Sequence, residues 1–142
     1  MEISDIRRRF RSALEGARKV SAERRARTDA ASAAYGTFLR DVATPVFRMF
    51  ANVAKAEGHP FTVFMPADGV RLVSERNGDD YIEVWFDTAV DPPRAAVRVN
   101  RQRGRDLLTS ERPLGEGVAI ETLTDEDVLA LLLAEFGALV VR

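Results

Sequence analysis

The chain contains no cysteine among its 142 residues. A disulfide framework, a thiolate metal site and a cysteine nucleophile are therefore excluded. Charged residues recur every few positions from Glu2 to Arg27, so this stretch lacks the apolar core of a signal peptide. No apolar run reaches the roughly 18 residues that a membrane-spanning helix needs. These absences predict a cytoplasmic protein that does not associate with membranes.

Residues that carry catalysis are also scarce. His59 is the only histidine and lies between Gly58 and Pro60, so we expect a loop residue that helps to end a helix, not a metal ligand. Glu83 and Asp87 are four residues apart on one strand face, about 13 Å, which is too far to share a metal ion. We expect them on a solvated face of a sheet, opposed by arginines. The sequence predicts no enzyme, metal site or cofactor.

Glycine-rich phosphate loops are missing as well. Gly115-Glu116-Gly117 is the nearest approach to one, but it lacks the strand–loop–helix setting that such a loop requires. We interpret it as a turn between strands.

The N-terminal segment has the spacing of an amphipathic helix. Apolar residues alternate at steps of three and four, as in a coiled-coil seam that Leu14 widens. We expect Ser4 to cap this helix, and Arg7, Arg8, Arg9, Arg11 and Arg18 to lie largely off the seam. The seam, as the name is used below, consists of Ile3, Ile6, Phe10, Ala13, Leu14, Ala17 and Val20.

The helical pattern weakens and then returns. Residues 21–34 contain no large apolar side chain, so we expect a break at residues 27–31. A broad apolar stripe resumes at Tyr35 and runs to Val53. Thr44-Pro45 fits either a new helix start or a kink in one long helix. Gly58 is expected to end this helical part.

The rest of the chain alternates in the manner of an antiparallel sheet. Strands are predicted at residues 61–65, 70–76, 81–88 and 94–100, and residues 107–112 and 118–123 are candidates for one or two more. Asn77-Gly78 marks a tight hairpin. Thr124, followed by three acidic residues, predicts the start of a closing helix that Gly137 ends.

This order predicts an α+β fold. It consists of a long N-terminal helical segment (one kinked helix or two to three helices), an antiparallel meander of four to six strands, and a C-terminal helix packed on the sheet. We divide the chain into a helical arm, residues 1–58, and a sheet with its helix, residues 59–142, and expect part of the arm to join the same compact unit.

Charge is segregated along the chain although the net charge is only −1. Residues 1–30 carry nine basic and five acidic side chains, and residues 94–105 carry five arginines and no acid. Two basic segments result, which could contact phosphates. The residues for this alternative are Arg7, Arg8, Arg11, Arg18, Arg98, Arg101, Arg103 and Arg105.

The length of the N-terminal helix favours one hypothesis about function over the other. A helix over residues 4–27 spans about 36 Å, whereas a compact domain of this size has a radius of roughly 14 Å. The helix must project or fold back as a hairpin, and projection leaves the seam in water. We therefore expect a non-enzymatic interaction or accessory subunit that binds itself or another protein through Ile3, Ile6, Phe10, Leu14, Ala17 and Val20. A nucleic-acid-binding accessory protein is the alternative.

Overall fold

A computed structural model describes residues 1–115 and 118–141. Its helices are α1 (Ile3–Phe38), a π-helical segment (Leu39–Ala43), α2 (Thr44–Ala56), a short 3₁₀ helix (Ile120–Thr122) and α3 (Asp125–Val140). Its strands are β1 (Phe61–Phe64), β2 (Gly69–Ser74), β3 (Tyr81–Asp87), β4 (Arg94–Arg103) and β5 (Asp106–Pro113). The predicted α+β class, the antiparallel meander and the helix packed on the sheet are confirmed.

The strands lie in one sheet in chain order, and each pairs antiparallel with the next. Side chains therefore alternate between two faces. The inner face carries Val70, Leu72, Ile82, Val84 and Val97, all buried, and α2 and α3 cover it with Val46, Phe47, Ala51, Ala54, Val128, Leu131, Leu132 and Leu139. We call the sheet and the helical residues packed on it, from Arg24 onward, the body.

The helical arm is one uninterrupted helix. The predicted break at residues 27–31 is wrong, because α1 continues through this stretch to Phe38. Alanine favours the helix there, and Ala31 and Ala34 are small enough to pack closely on the core. The Ser4 cap is also wrong, because Ser4 lies inside α1 and Glu2 precedes it.

The π-helical segment connects α1 and α2 without a break in the helix. Apolar side chains pack on the core throughout it: Leu39, Val42 and Ala43 lie between Phe38 and Val46. A π turn inserts one extra residue into the helix. Pro45 lies just after this turn and has no N–H to donate. Of the two interpretations of Thr44-Pro45, the structure shows the continuous helix.

Two predictions near the C-terminus are also wrong. Residues 118–123 form no strand: Ile120–Thr122 are a short 3₁₀ helix, and Ile120 and Leu123, which are three apart, are buried. Gly137 does not end α3, which runs to Val140 and buries Leu139 in the core. That burial offsets the roughly 1 kcal/mol that glycine costs inside a helix. The turn predicted at residues 115–117 includes Glu116 and Gly117, which lie outside the described residues.

The predicted start of α3 is confirmed in detail. Thr124 and Asp127 form a reciprocal capping box, in which the Asp127 N–H donates to Thr124 Oγ1 at 3.4 Å and the Thr124 N–H donates to Asp127 Oδ2 at 2.8 Å. We expect Thr124→Ala to lower the free energy of unfolding by about 1 kcal/mol, measured by denaturant titration. Thr124→Ser retains the hydroxyl and serves as the control. Equal losses in both variants would contradict a capping role.

Candidate interaction surface

The N-terminal half of α1 extends beyond the body. Every residue from Ile6 to Arg27 is exposed, and burial begins at Thr28. Residues 3–23, which we call the rod, span about 30 Å at 1.5 Å per residue. Because α1 is continuous, its N-terminal part does not fold back as a helical hairpin, and the rod projects.

The root of the rod is fastened by ion pairs to the loop between β3 and β4. Arg27 Nη2 lies 2.8 Å from Asp91 Oδ2, and Arg24 Nε lies 3.8 Å from the same oxygen. The Arg27 hydrogen bond lowers the pKa of the Asp91 carboxyl below its usual value. All three side chains are partly solvated, so these contacts orient the rod more than they stabilise the fold.

The seam lies exposed along the rod. The exposed fractions are 75% for Ile3, 51% for Ile6, 65% for Phe10, 38% for Leu14 and 54% for Val20, and Ala17 is also exposed. Five large apolar side chains on one helix are thus in contact with solvent. Scattered exposed apolar residues are common, whereas these form one contiguous stripe, which makes the seam the candidate interaction surface.

The seam is in phase with the part of α1 that packs on the body. Its steps of three and four continue from Val20 through Arg24, Arg27, Ala31 and Ala34 to Phe38. Arg24 and Arg27 bind Asp91, and the last three pack on the core. A strict heptad drifts by about 20° per repeat on a straight helix. The end of the seam at Val20 is therefore within about 40° of Ala34, two repeats further on, and the difference grows toward Ile3.

Basic side chains occupy much of the rest of the rod. Arg7, Arg8, Arg11 and Arg18 are exposed, and Arg8 pairs with Asp5 at 2.6 Å. Asp5 is itself partly solvated, so this pair contributes little stability.

The second basic segment runs along β4, from near the root of the rod to the far end of the body. Arg94, at the start of β4, is near the root of the rod, whereas Arg103 and Arg105 lie at the β4–β5 hairpin. Ten residues of strand separate these ends by about 30 Å. Arg103 and Arg105 are exposed and Arg101 is half-buried. The structure therefore does not bring the arginines predicted on the rod together with Arg101, Arg103 and Arg105.

Arg98 is engaged in the sheet itself. It lies 3.0 Å from Glu83 and 2.8 Å from Glu111, and Arg71 lies 3.0 Å from the other oxygen of Glu83. These four residues face one another across β2, β3, β4 and β5 and form an alternating row, which we call the ladder. The expected pairing of arginines with acidic strands is confirmed, and the hydrogen bond to Glu111 raises the pKa of Arg98.

The expectation that Glu83 is solvated is wrong, because only 2% of its surface is exposed. Arg71 lies over the Tyr81 ring at 4.1 Å and Arg98 over the Trp85 ring at 4.6 Å. The buried carboxylate thus lies between two arginines, each of which lies over an aromatic ring. Asp87 is buried as well and pairs with Arg94 at 3.4 Å.

One surface feature was not predicted from the sequence. An apolar cleft lies where the rod meets the body, and its walls include Ala30, Pro92, Pro93, Val118 and Ile120. These residues come from α1, the β3–β4 loop and the segment before α3. Only their proximity in the fold makes a cleft, so no local pattern could have indicated it.

His59 behaves as expected of a loop residue. Its backbone N–H donates to the Ala54 carbonyl at 2.8 Å and closes the end of α2. In the part of the chain that the structure describes, no group of three histidine or acidic side chains could hold a metal ion. No described helix is long and apolar enough to cross a membrane.

No protein family model, curated protein or solved structure matches the chain.

Proposed function

We propose that the protein is an interaction subunit that assembles with a helical partner, a second copy or another protein, through the seam of its N-terminal rod. The observation that carries the proposal is the exposure of Ile3, Ile6, Phe10, Leu14 and Val20 along one line on a helix that leaves the body. Covering a large apolar side chain contributes about 1.5–3 kcal/mol. A partner helix that buries several of them can offset the free-energy cost of association.

The composition of the seam supports this proposal. Ile3, Ile6 and Val20 are β-branched and Phe10 is aromatic, and these residue types form helices less readily than leucine, alanine or lysine. A projecting helix that served only as a spacer would gain from better helix formers. Large apolar side chains at these positions gain most from contact with another helix.

The basic residues fit a flanking role. In helix pairs of this kind, charged residues beside the seam set partner choice and orientation. The rod carries positive charge on much of its remaining surface, so an acidic margin on the partner would be complementary. Phosphate contact is a separate outcome that the test below distinguishes. The residues predicted for it are divided between the rod and the far end of the body, and Arg98 is held by Glu83 and Glu111.

A photoreactive amino acid placed in the rod tests the proposal in cells. At Phe10, in the seam, we expect crosslinks to protein that withstand nuclease treatment. At Ser12, which lies on the opposite side of the helix, we expect few. Equal crosslinking at the two positions would contradict a role for the seam, and adducts that disappear with nuclease would favour nucleic-acid binding instead.

A further inference from the structure

We infer that the seam binds an amphipathic helix of a different protein, and that this helix carries acidic side chains beside its own apolar stripe. The inference rests on the proposed function and specifies the chemistry of the partner. Three observations support it: a row of arginines borders the seam, this row has no carboxylate bound to it, and the arginines nearest to the body each bind one.

The row of arginines follows one edge of the seam. Its members are separated by four, seven and seven residues, so they point in nearly the same direction on a helix with 3.6 residues per turn. Arg11 precedes Leu14 by three residues and Arg18 follows it by four, and these spacings make them neighbours of Leu14 on the helix surface. The margin, as we name this row, consists of Arg7, Arg11, Arg18 and Arg25.

The margin is not neutralised by the chain itself. All four of its arginines are exposed, and among the described residues none of their side chains forms an ion pair or a hydrogen bond. Glu15 and Asp29 have the helical spacing to reach members of the margin, but neither carboxylate forms an ion pair in the part of the chain that the structure describes. Four positive charges therefore line one side of an apolar stripe without counter-charges.

The arginines beside the margin show which group fits such a position. Arg27 lies 2.8 Å from Asp91 and Arg24 lies 3.8 Å from the same carboxylate. Arg25 follows Arg24 by one residue, which turns it about 100° around the helix axis, and it stays exposed. The margin thus lies on the open side of α1, where carboxylates of a partner on the seam could bind it as Asp91 binds its neighbours.

A second copy of the chain does not supply these carboxylates. The rod, residues 3–23, carries six basic and three acidic side chains. Two rods side by side would bring like charges together, which opposes association, whereas an acidic helix is complementary to the margin. The same complementarity would speed the first encounter with the partner.

Phosphate groups would satisfy the margin but not the seam. Phe10 and Leu14, which are 65% and 38% exposed, border the margin and would remain in water beside a nucleic-acid backbone. An acidic amphipathic helix covers the apolar side chains and pairs with the arginines together. The combined surface therefore favours protein over nucleic acid.

Two synthetic helical peptides test the inference on the full-length protein. Both contain about three heptads with isoleucine at a and leucine at d, and they differ only in carrying glutamate or lysine beside this stripe, so neither pairs readily with itself. We expect the glutamate peptide to bind at least about tenfold more tightly than the lysine peptide, because several weak pairs act together. The preference should shrink as salt is added. Fluorescence anisotropy of labelled peptides measures both affinities.

Reversal of charge in the margin should reverse the preference. Arg11→Glu with Arg18→Glu is expected to bind the lysine peptide more tightly than the glutamate peptide. Arg8→Glu with Lys19→Glu is the matched control, because it changes the net charge equally on the side of the rod away from the seam. This control should still prefer the glutamate peptide. If it loses the preference as fully as the margin variant does, net charge alone decides binding and the inference is wrong.

Two other results separate the inference from the proposed function. Equal binding of the two peptides that Phe10→Glu abolishes would overturn the acidic partner and leave the seam as an interaction surface. If neither peptide binds, the inference is wrong, and the proposed function fails as well unless Phe10 crosslinks to protein in cells. Binding of duplex DNA that the margin variant loses would then assign the arginines to phosphate contact.

The cellular crosslink at Phe10 provides an independent check. Mass spectrometry of the adduct identifies the segment that lies on the seam. We expect a segment of another protein with more acidic than basic residues. A basic segment, or the rod of this same chain, would overturn the inference.

Discussion

Replacing both Ile6 and Phe10 with glutamate is expected to weaken assembly at least a hundredfold. Both side chains are more than half exposed in the isolated chain, and each contributes about 1.5–3 kcal/mol when a partner covers it. The substitutions remove that contribution and require a charge to be buried. A hundredfold change corresponds to about 3 kcal/mol, a lower bound for two such residues. Sedimentation over a range of concentrations measures the effect.

The matched control adds the same charge to the opposite side of the rod. Ser4→Glu with Ser12→Glu should leave assembly within a few-fold of the original, because both residues point away from the seam. Neither double variant should change the unfolding of the body, since residues 6–27 are exposed and do not pack on the core. Assembly that survives glutamate at Ile6 and Phe10 would show that the seam is not the contact surface.

Replacing Glu83 with alanine is expected to lower the free energy of unfolding by about 2–3 kcal/mol. The carboxylate is buried and accepts hydrogen bonds from Arg71 and Arg98 at 3.0 Å each. Its removal leaves two guanidinium groups facing each other without their shared counter-charge. Breaking a buried ion pair costs about 3–5 kcal/mol, and the arginine side chains retain 28% and 29% exposure, so part of this cost is relieved by water.

Glu111→Ala is the control for the ladder. Glu111 also binds Arg98, but half of its side chain is exposed, and a solvated pair contributes less than about 1 kcal/mol. Denaturant titration should show a much smaller loss for Glu111→Ala than for Glu83→Ala, with the denaturant dependence unchanged in both. Equal losses of unfolding free energy in the two variants would mean that the burial of Glu83 does not contribute to the stability of the fold.

Much of the fold could be predicted because its signals are local. The spacing of the seam, the alternation in β3 and the Thr124 cap each depend on a few neighbouring residues. These features needed no knowledge of which distant segments meet. The length of the helix left two possibilities, projection or a helical hairpin, and the structure shows projection.

The features that were missed depend on tertiary contacts. The π turn at Leu39–Ala43 leaves no signal in the local pattern, because the apolar residues keep helical steps of three and four across it. We expected Glu83 to be solvated because its burial depends on the pairing register of four strands and on two aromatic rings. The sequence around Glu83 does not reveal these contacts. Residues 118–123 alternate like a strand, but the body buries Ile120 and Leu123, and a spacing of three fits a 3₁₀ turn.

The π turn at Leu39–Ala43 has a consequence for any assembly built on this chain. Each residue of an α-helix rotates the chain by about 100°, so the one extra residue in this turn sets the direction in which everything before it points. No break in α1 separates the turn from the seam, whose centre lies about 45 Å away along the axis. A partner that binds the rod therefore also fixes the orientation of the sheet about the helix axis. The five residues of the π turn, although far from the contact, set the angle between the two bound molecules.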